Sequence, residues 1–402
     1  MTTNGYSSIT AVLPTASAGN VMDEIKMHHG ASALAWRARG TLLNDQWWKH
    51  WVPPISPAKT LLQLVVPDQD VQDIADAIAL KGRLHQQATG AVFSTPCHDI
   101  YFGPDYHHWP TSLSMQSGAQ SISMGHGQSI IQCIVSQNRS NKVCRAAINA
   151  GAHGPIVHYC EGQGLRDRLG WLRITKEHDQ EMLIVLVDSD QAESVFAAMT
   201  EAGEFHRPGR GLIYRVDGVS GLSNLPSRAS SRRYAADMQQ IIRAIDHLSG
   251  HSHWRDQSGA TEEKRRANKT RVADSILRDQ IRVSAMVRRA ESQRFTDLML
   301  DAGVPGLTEV EAFFVAADEG CQVAGARVND EYRLYRSILS APMAKRIRQV
   351  VEETASDKGV RDLCVFSNPI AEVVRYVPGK KDHRAAESPI LAATPEVLSE
   401  SA

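Results

Sequence analysis

Two short stretches carry residue types suited to holding an anion. Gly162-Gln163-Gly164 closes a predicted strand, and Arg207-Pro208-Gly209-Arg210-Gly211 runs into another. Glycines at such turns let backbone N–H groups approach an anion closely, and the arginines add charge-assisted donors of the kind that grip phosphate. Taken alone, either stretch also reads as a tight turn with solvated arginines.

Other residues point to other chemistries. His247, His251 and His253 include an i,i+4 pair, the spacing that aligns two imidazoles on one helix face, and are the candidate metal ligands. A second group, Cys97-His98-Asp99 with Asp105, His107 and His108, offers further ligand types. Neither group has the spacing of a closed structural metal site, and loop histidines are ordinarily solvated. His153, His158 and Glu161 are possible acids or bases. Strand alternation puts His158 and Cys160 on one face, Tyr159 and Glu161 on the other. No G-x-S-x-G elbow, P-loop or H-E-x-x-H is present, so an enzyme stays an open alternative without a motif of its own. Trp47, Trp48 and Trp51 cluster in a polar stretch, either as a contact for a protein partner or as a plug folded over a sheet. The basic run Lys264-Arg265-Arg266 follows Glu262-Glu263 and lacks interleaved aromatics, so it reads as a solvated helix face and not as a nucleic-acid site.

The elements that must position these residues recur three times. A short apolar strand leads through a helix to a glycine: Ile9 to Gly30, Ile130 to Gly151 and Ile281 to Gly303, spans of 21, 21 and 22 residues. Glycine there suits a left-handed helix end. A second strand and a polar stretch follow, then a β-rich run (LLQLVVP, EMLIVLV, EYRLYRSIL), a second helix and a last short strand (GAVF, GLIY, LCVF). The order predicts an α+β fold of three tandem ferredoxin-like βαββαβ units. Such a unit carries both helices on one sheet face, so its bare face needs a cover, which three tandem copies supply by packing as an intramolecular pseudo-trimer. The predicted units are 1–109, 129–222 and 280–379, with a flexible linker at 110–128, a helical connector at 223–279 and a polar tail at 380–402.

The second unit resembles the PII nitrogen-regulatory signalling family over about 90 residues, from IIQCIVSQNRSNKVCRAAINAGAHGPIVHYCEGQG to EMLIVLVDSDQAESVFAAMTEAGEFHRPGRGLIYRV. Members are trimers of ferredoxin-like subunits that bind adenine nucleotides between subunits and signal through a long T-loop. The resemblance implies that Gly162, Gln163 and Gly164 stand at the T-loop base and Arg207, Gly209, Arg210 and Gly211 in the glycine-rich B-loop, together lining a cleft for ATP, ADP or AMP. It places Arg166, Arg168 and Arg173 in the loop that meets a protein partner. Two departures stand out. Leu212 occupies the position of a phosphate-binding lysine, and the loop at 165–180 has no tyrosine to modify. The first unit has only Gly90 at the corresponding loop, and the third has Gly359 and Arg361, so one or two clefts at most keep nucleotide chemistry. A related family of trimers, the divalent-cation tolerance proteins, keeps a metal-binding or scaffold role open.

The bulk properties fit that reading. The chain has 402 residues, enough for two or three domains, and its net charge of −1 gives no bulk field for nucleic acid. No run of 18 apolar residues spans a membrane, and the first residues lack a secretory signal's basic stretch. Six cysteines without a C-x-x-C pair fit reduced thiols. The expectation is a cytoplasmic regulatory protein that binds a nucleotide and relays its presence to a protein partner.

Overall fold

The computed structural model describes residues 5–29, 33–41, 57–84, 86, 89–106, 124–152, 154–164, 179–223, 275–315 and 331–376. In chain order these hold β1 (Tyr6–Pro14), α1 (Thr15–His29), β2 (Ala33–Gly40), β3 (Ala58–Pro67), α2 (Val71–Lys81), β4 (Ala91–Pro96) and β5 (Asp99–Phe102). Next come β6 (Gly125–Ser136), α3 (Ser140–Asn149), β7 (Ile156–Gly164), β8 (Asp179–Asp188), α4 (Ser189–Gly203) and β9 (Leu212–Ser223). The last group is β10 (Ile276–Leu277), β11 (Gln280–Arg288), α5 (Ser292–Asp301), β12 (Gly306–Val315), β13 (Glu331–Ser340), α6 (Ala341–Thr354), β14 (Leu363–Ile370) and β15 (Glu372–Arg375). No helix among the described residues is long and apolar enough to cross a membrane.

Local chemistry accounts for these elements. Runs such as LLQLVVP and MLIVLV are apolar at nearly every position, and their strands are covered on both faces. Helices α3 and α5 end ahead of Gly151 and Gly303, whose φ values of +102° and +96° would strain a residue with a side chain.

The strands do not separate into three sheets. All fifteen belong to one antiparallel network, and nine of them close a ring in the order β4-β1-β3-β2-β12-β7-β8-β6-β9 and back to β4. This corrects the expectation of three tandem ferredoxin-like, PII-like units associated as a pseudo-trimer. The fold is a closed nine-stranded β-barrel, 49% strand, with six helices among the described residues. The strand and helix order recurs along the chain, but hydrogen bonding runs on past every repeat border. The start of β2 pairs with the end of β12, the start of β12 with the end of β7, and the start of β7 with the end of β2. The physical reason lies in the exposed strand edges, whose unpaired N–H and C=O groups are satisfied by joining. Once the edges join, the bare faces curl into one interior, and docking of finished units is not needed to cover them.

The core follows this plan. Val12, Trp36, Ile130, Tyr214, Met286 and Phe314, drawn from the whole length of the chain, belong to a single inner cluster. Three outer clusters lie beneath α1 and α2, α3 and α4, and α5 and α6. Cys97, Cys133, Cys144, Cys160 and Cys364 are all free thiols.

Candidate functional site

The two glycine-bearing stretches stand on one rim of the barrel. Glu161 near the end of β7 faces Asp179 at the start of β8, Gln180 faces Ser136 at the end of β6, and Ile134 faces Leu212 at the start of β9. Two strands therefore lie between them, a separation of about 14 Å at strand spacing. The structure brings them to the same edge but not into contact.

The Gly162–Gly164 stretch is used as a strand joint. Gly162, Gln163 and Gly164 pair with Thr308, Leu307 and Gly306, and Gln163 Nε2 donates to Glu309 Oε2 at 2.8 Å. Glu309 in turn meets Arg333 at 2.8 Å. Burial raises the Glu309 carboxyl above its usual range, against the pull of Arg333.

The Arg207–Gly211 stretch is arranged differently. Helix α4 ends where Glu204 takes the left-handed conformation (φ +54°), and the chain turns back toward β9. Gly211, at φ +90°, lies so close to β6 that an added Cβ would stand 1.8 Å from the Ile134 carbonyl oxygen. Gly209, at φ +71°, faces open space. Three guanidinium groups converge here on one carboxylate. Arg139 and Arg207 each reach Glu204 at 2.8 Å, and Arg210 stands off at 3.9 Å. Among the described residues, no other carboxylate is within ion-pair distance of these three arginines. Hydrogen bonding from Arg139, with the charges of Arg207 and Arg210, holds Glu204 below the ordinary carboxylate range. The cluster thus carries three positive charges against one negative. Arg207 and Arg210 are 53% and 39% exposed, open to an incoming anion.

The corresponding loops are arranged differently. In the third repeat Arg361 is held bidentately by Asp105, at 2.8 and 3.1 Å, and the Glu291 carboxylate accepts from the backbone N–H of Arg361 and Asp362. In the first, buried Lys59 donates to the Thr89 carbonyl at 2.5 Å, just before Gly90. Among the described residues, the second loop is where Arg139, Arg207 and Arg210 share a single carboxylate.

Several residues chosen from the sequence fall outside the described residues. These are Arg166, Arg168, Arg173, Trp47, Trp48, Trp51, His153, His247, His251 and His253. So do the linker at 110–128 except Met124 onward, most of the connector at 223–279, and the tail at 380–402. Burial pushes the Cys97 thiol up to about 12, and the adjacent His98 is 64% exposed. The face assignment on β7 holds: His158 and Cys160 are buried, while Tyr159 is 61% exposed. His158 Nδ1 donates to the Tyr159 carbonyl at 3.0 Å, and burial, reinforced by Arg336, lowers its pKa to about 3. A neutral, enclosed imidazole of this kind is no general base for a ligand on the rim.

Sequence reasoning missed Arg139 and Glu204. They lie outside the glycine loop, and only the 3-10 turn at Gln137–Arg139 and the end of α4 bring them to it. It also missed the polar groups inside the barrel. Their signal was partial: Arg282 and Arg336 stand next to apolar residues in QIRVSAMVR and EYRLYRSILS, but those strands also carry other polar residues, so neither arginine stands out.

No protein-family model matches the chain, and no curated protein matches it. Among solved structures, aspartate kinase from Synechocystis aligns with 91% of this chain at 8% identity and a TM-score of 0.19. The chain spans 44% of the length of that kinase. The ligand-free regulatory subunit of aspartate kinase from Thermus thermophilus aligns with half of this chain and 95% of its own, at 11% identity and a TM-score of 0.17. Likenesses this weak carry no argument about what the chain does.

Proposed function

We propose that this chain is a regulatory protein that binds a small anionic metabolite at the Arg139–Arg207–Arg210 cluster and relays its presence to a protein partner. The observation that carries this reading is the imbalance of charge at Glu204, where three arginines share one carboxylate beside a loop shaped by two left-handed glycines. An oxyanion with several charges is the ligand that such a cluster fits, since guanidinium groups pair with phosphate in a directed, charge-assisted way. The resemblance of the second repeat to the PII family narrows the class to adenine nucleotides, ATP, ADP or AMP. Leu212, in place of a lysine, leaves the two arginines to carry the phosphate contact. Gln163, about 14 Å along the rim at strand spacing, is near enough to meet the far end of a nucleotide. The chain leaves β7 at Gly164 next to that point, so a ligand there would bear on the segment toward 180 that serves the partner.

The test is a double variant, Arg207→Gln with Arg210→Gln. ATP affinity in calorimetry is expected to drop at least tenfold while the thermal midpoint stays within a degree or two, because both side chains are substantially exposed. Unchanged affinity in the double variant overturns the assignment.

A further inference from the structure

Among the described residues, two positive charges buried against the inner core meet no negative charge. Arg282 on β11 and Arg336 on β13 are each 4% exposed. Arg282 donates to two neutral amide oxygens, Gln132 Oε1 at 3.4 Å and Asn368 Oδ1 at 2.6 Å. Gln132 Oε1 is shared, because Tyr214 also donates to it. Arg336 donates to Gln63 Oε1 at 3.2 Å, and its other terminal nitrogen is spent on the Met182 sulfur at 2.9 Å, a weak acceptor. The Nε atoms of both arginines lack a partner, as does the buried hydroxyl of Ser284 on the same face of β11 as Arg282. Among the described residues neither guanidinium has a carboxylate within ion-pair distance. Arg39, Arg215, Arg333 and Arg348, nearer the outer surface, all have one.

An arginine cannot escape this by giving up its proton at neutral pH. Burying an unpaired charge costs far more than burying an amide, and two like charges in one interior repel as well. Such a pair of guanidinium groups is made tolerable by an anion. The described side chains around them, among them Tyr214, Met182 and Asn368, are almost wholly buried, so a guest in this closed interior must be small. We infer that the barrel interior is a binding site for a single small inorganic anion of halide size, held between Arg282 and Arg336. This site is separate from the Arg207–Arg210 cluster and serves the stability of the barrel.

The test uses the full chain exchanged into chloride-free gluconate buffer and titrated with chloride at constant ionic strength. The thermal midpoint is expected to rise saturably, by about 2 °C or more, as for any ligand bound only by the folded state. In an Arg282→Met, Arg336→Met double variant the chloride dependence should vanish. Because that variant could fail to fold, crystals of the unaltered chain soaked in bromide provide a second reading, with an anomalous peak expected between the two guanidinium groups. A midpoint indifferent to chloride, a double variant that responds like the parent, or bromide-soaked crystals without an interior peak would overturn the site. Stabilisation by inorganic phosphate but not by chloride would overturn its size.

Discussion

If the cluster binds an anion as proposed, Glu204 competes with that ligand for Arg139, Arg207 and Arg210. Exposed ion pairs of this kind are worth about 0.2–1 kcal/mol each. Glu204→Gln should therefore tighten ATP binding by about 1.5- to 5-fold, measured by calorimetry beside the parent, and weaker binding in that variant would show that Glu204 holds the arginines in place. His158 makes a prediction of the opposite kind, about stability alone. Its folded pKa is lowered to about 3 by burial, with Arg336 adding to the effect, from an ordinary value of 6.5. Between pH 6.5 and 3 the unfolded chain binds the proton and the folded chain does not. The stability due to neutral His158 is therefore complete above pH 6.5 and is lost as the pH falls, by about 1.4 kcal/mol per unit at most. Urea denaturation at pH 7 and pH 5 should show that His158→Gln loses about 2 kcal/mol less on acidification than the parent does. An identical loss in both proteins would mean that His158 is protonated in the fold.

At the scale of elements, the entry into β9 depends on a backbone approach that only glycine permits. The missing Cβ of Gly211 would lie 1.8 Å from the Ile134 oxygen on the neighbouring strand, whereas that of Gly209 meets nothing within 4 Å. Gly211→Ala should cost about 2–3 kcal/mol in chemical denaturation, and Gly209→Ala only the left-handed penalty of about 1 kcal/mol. Equal costs would refute this account of the turn. The elements themselves were legible in the sequence because their signals are local. Helices α3 and α5 stop where Gly151 and Gly303 say they should, and β7 divides its faces as the alternation of His158 and Tyr159 requires. The joints between repeats were not legible. The pairing of Gly164 with Gly306 and of Ala33 with Val315 links residues more than 140 positions apart, and nothing in either segment marks its partner. For the same reason the candidate site was half visible: the glycines and Arg207 and Arg210 share one loop, but Arg139 and Glu204 reach it only through folding.

Over the whole molecule, closure of the ring removes the borders at which separate domains could come apart. Val12, Tyr214 and Phe314 share one inner core, so loss of any third of the chain opens the interior for the rest. Calorimetric unfolding should be one transition, with calorimetric and van't Hoff enthalpies agreeing closely, and three resolved transitions would mean three independent units after all. The central claim concerns function and has a more direct test, titration of the purified, metal-free chain with ATP, ADP, AMP, cyclic AMP and S-adenosylmethionine in turn. The account predicts saturable binding of at least one adenine nucleotide, near one site per chain, in keeping with one described loop whose arginines outnumber the carboxylate they share. If none of the five binds, the charge at Glu204 is not a nucleotide site and the proposed function is contradicted.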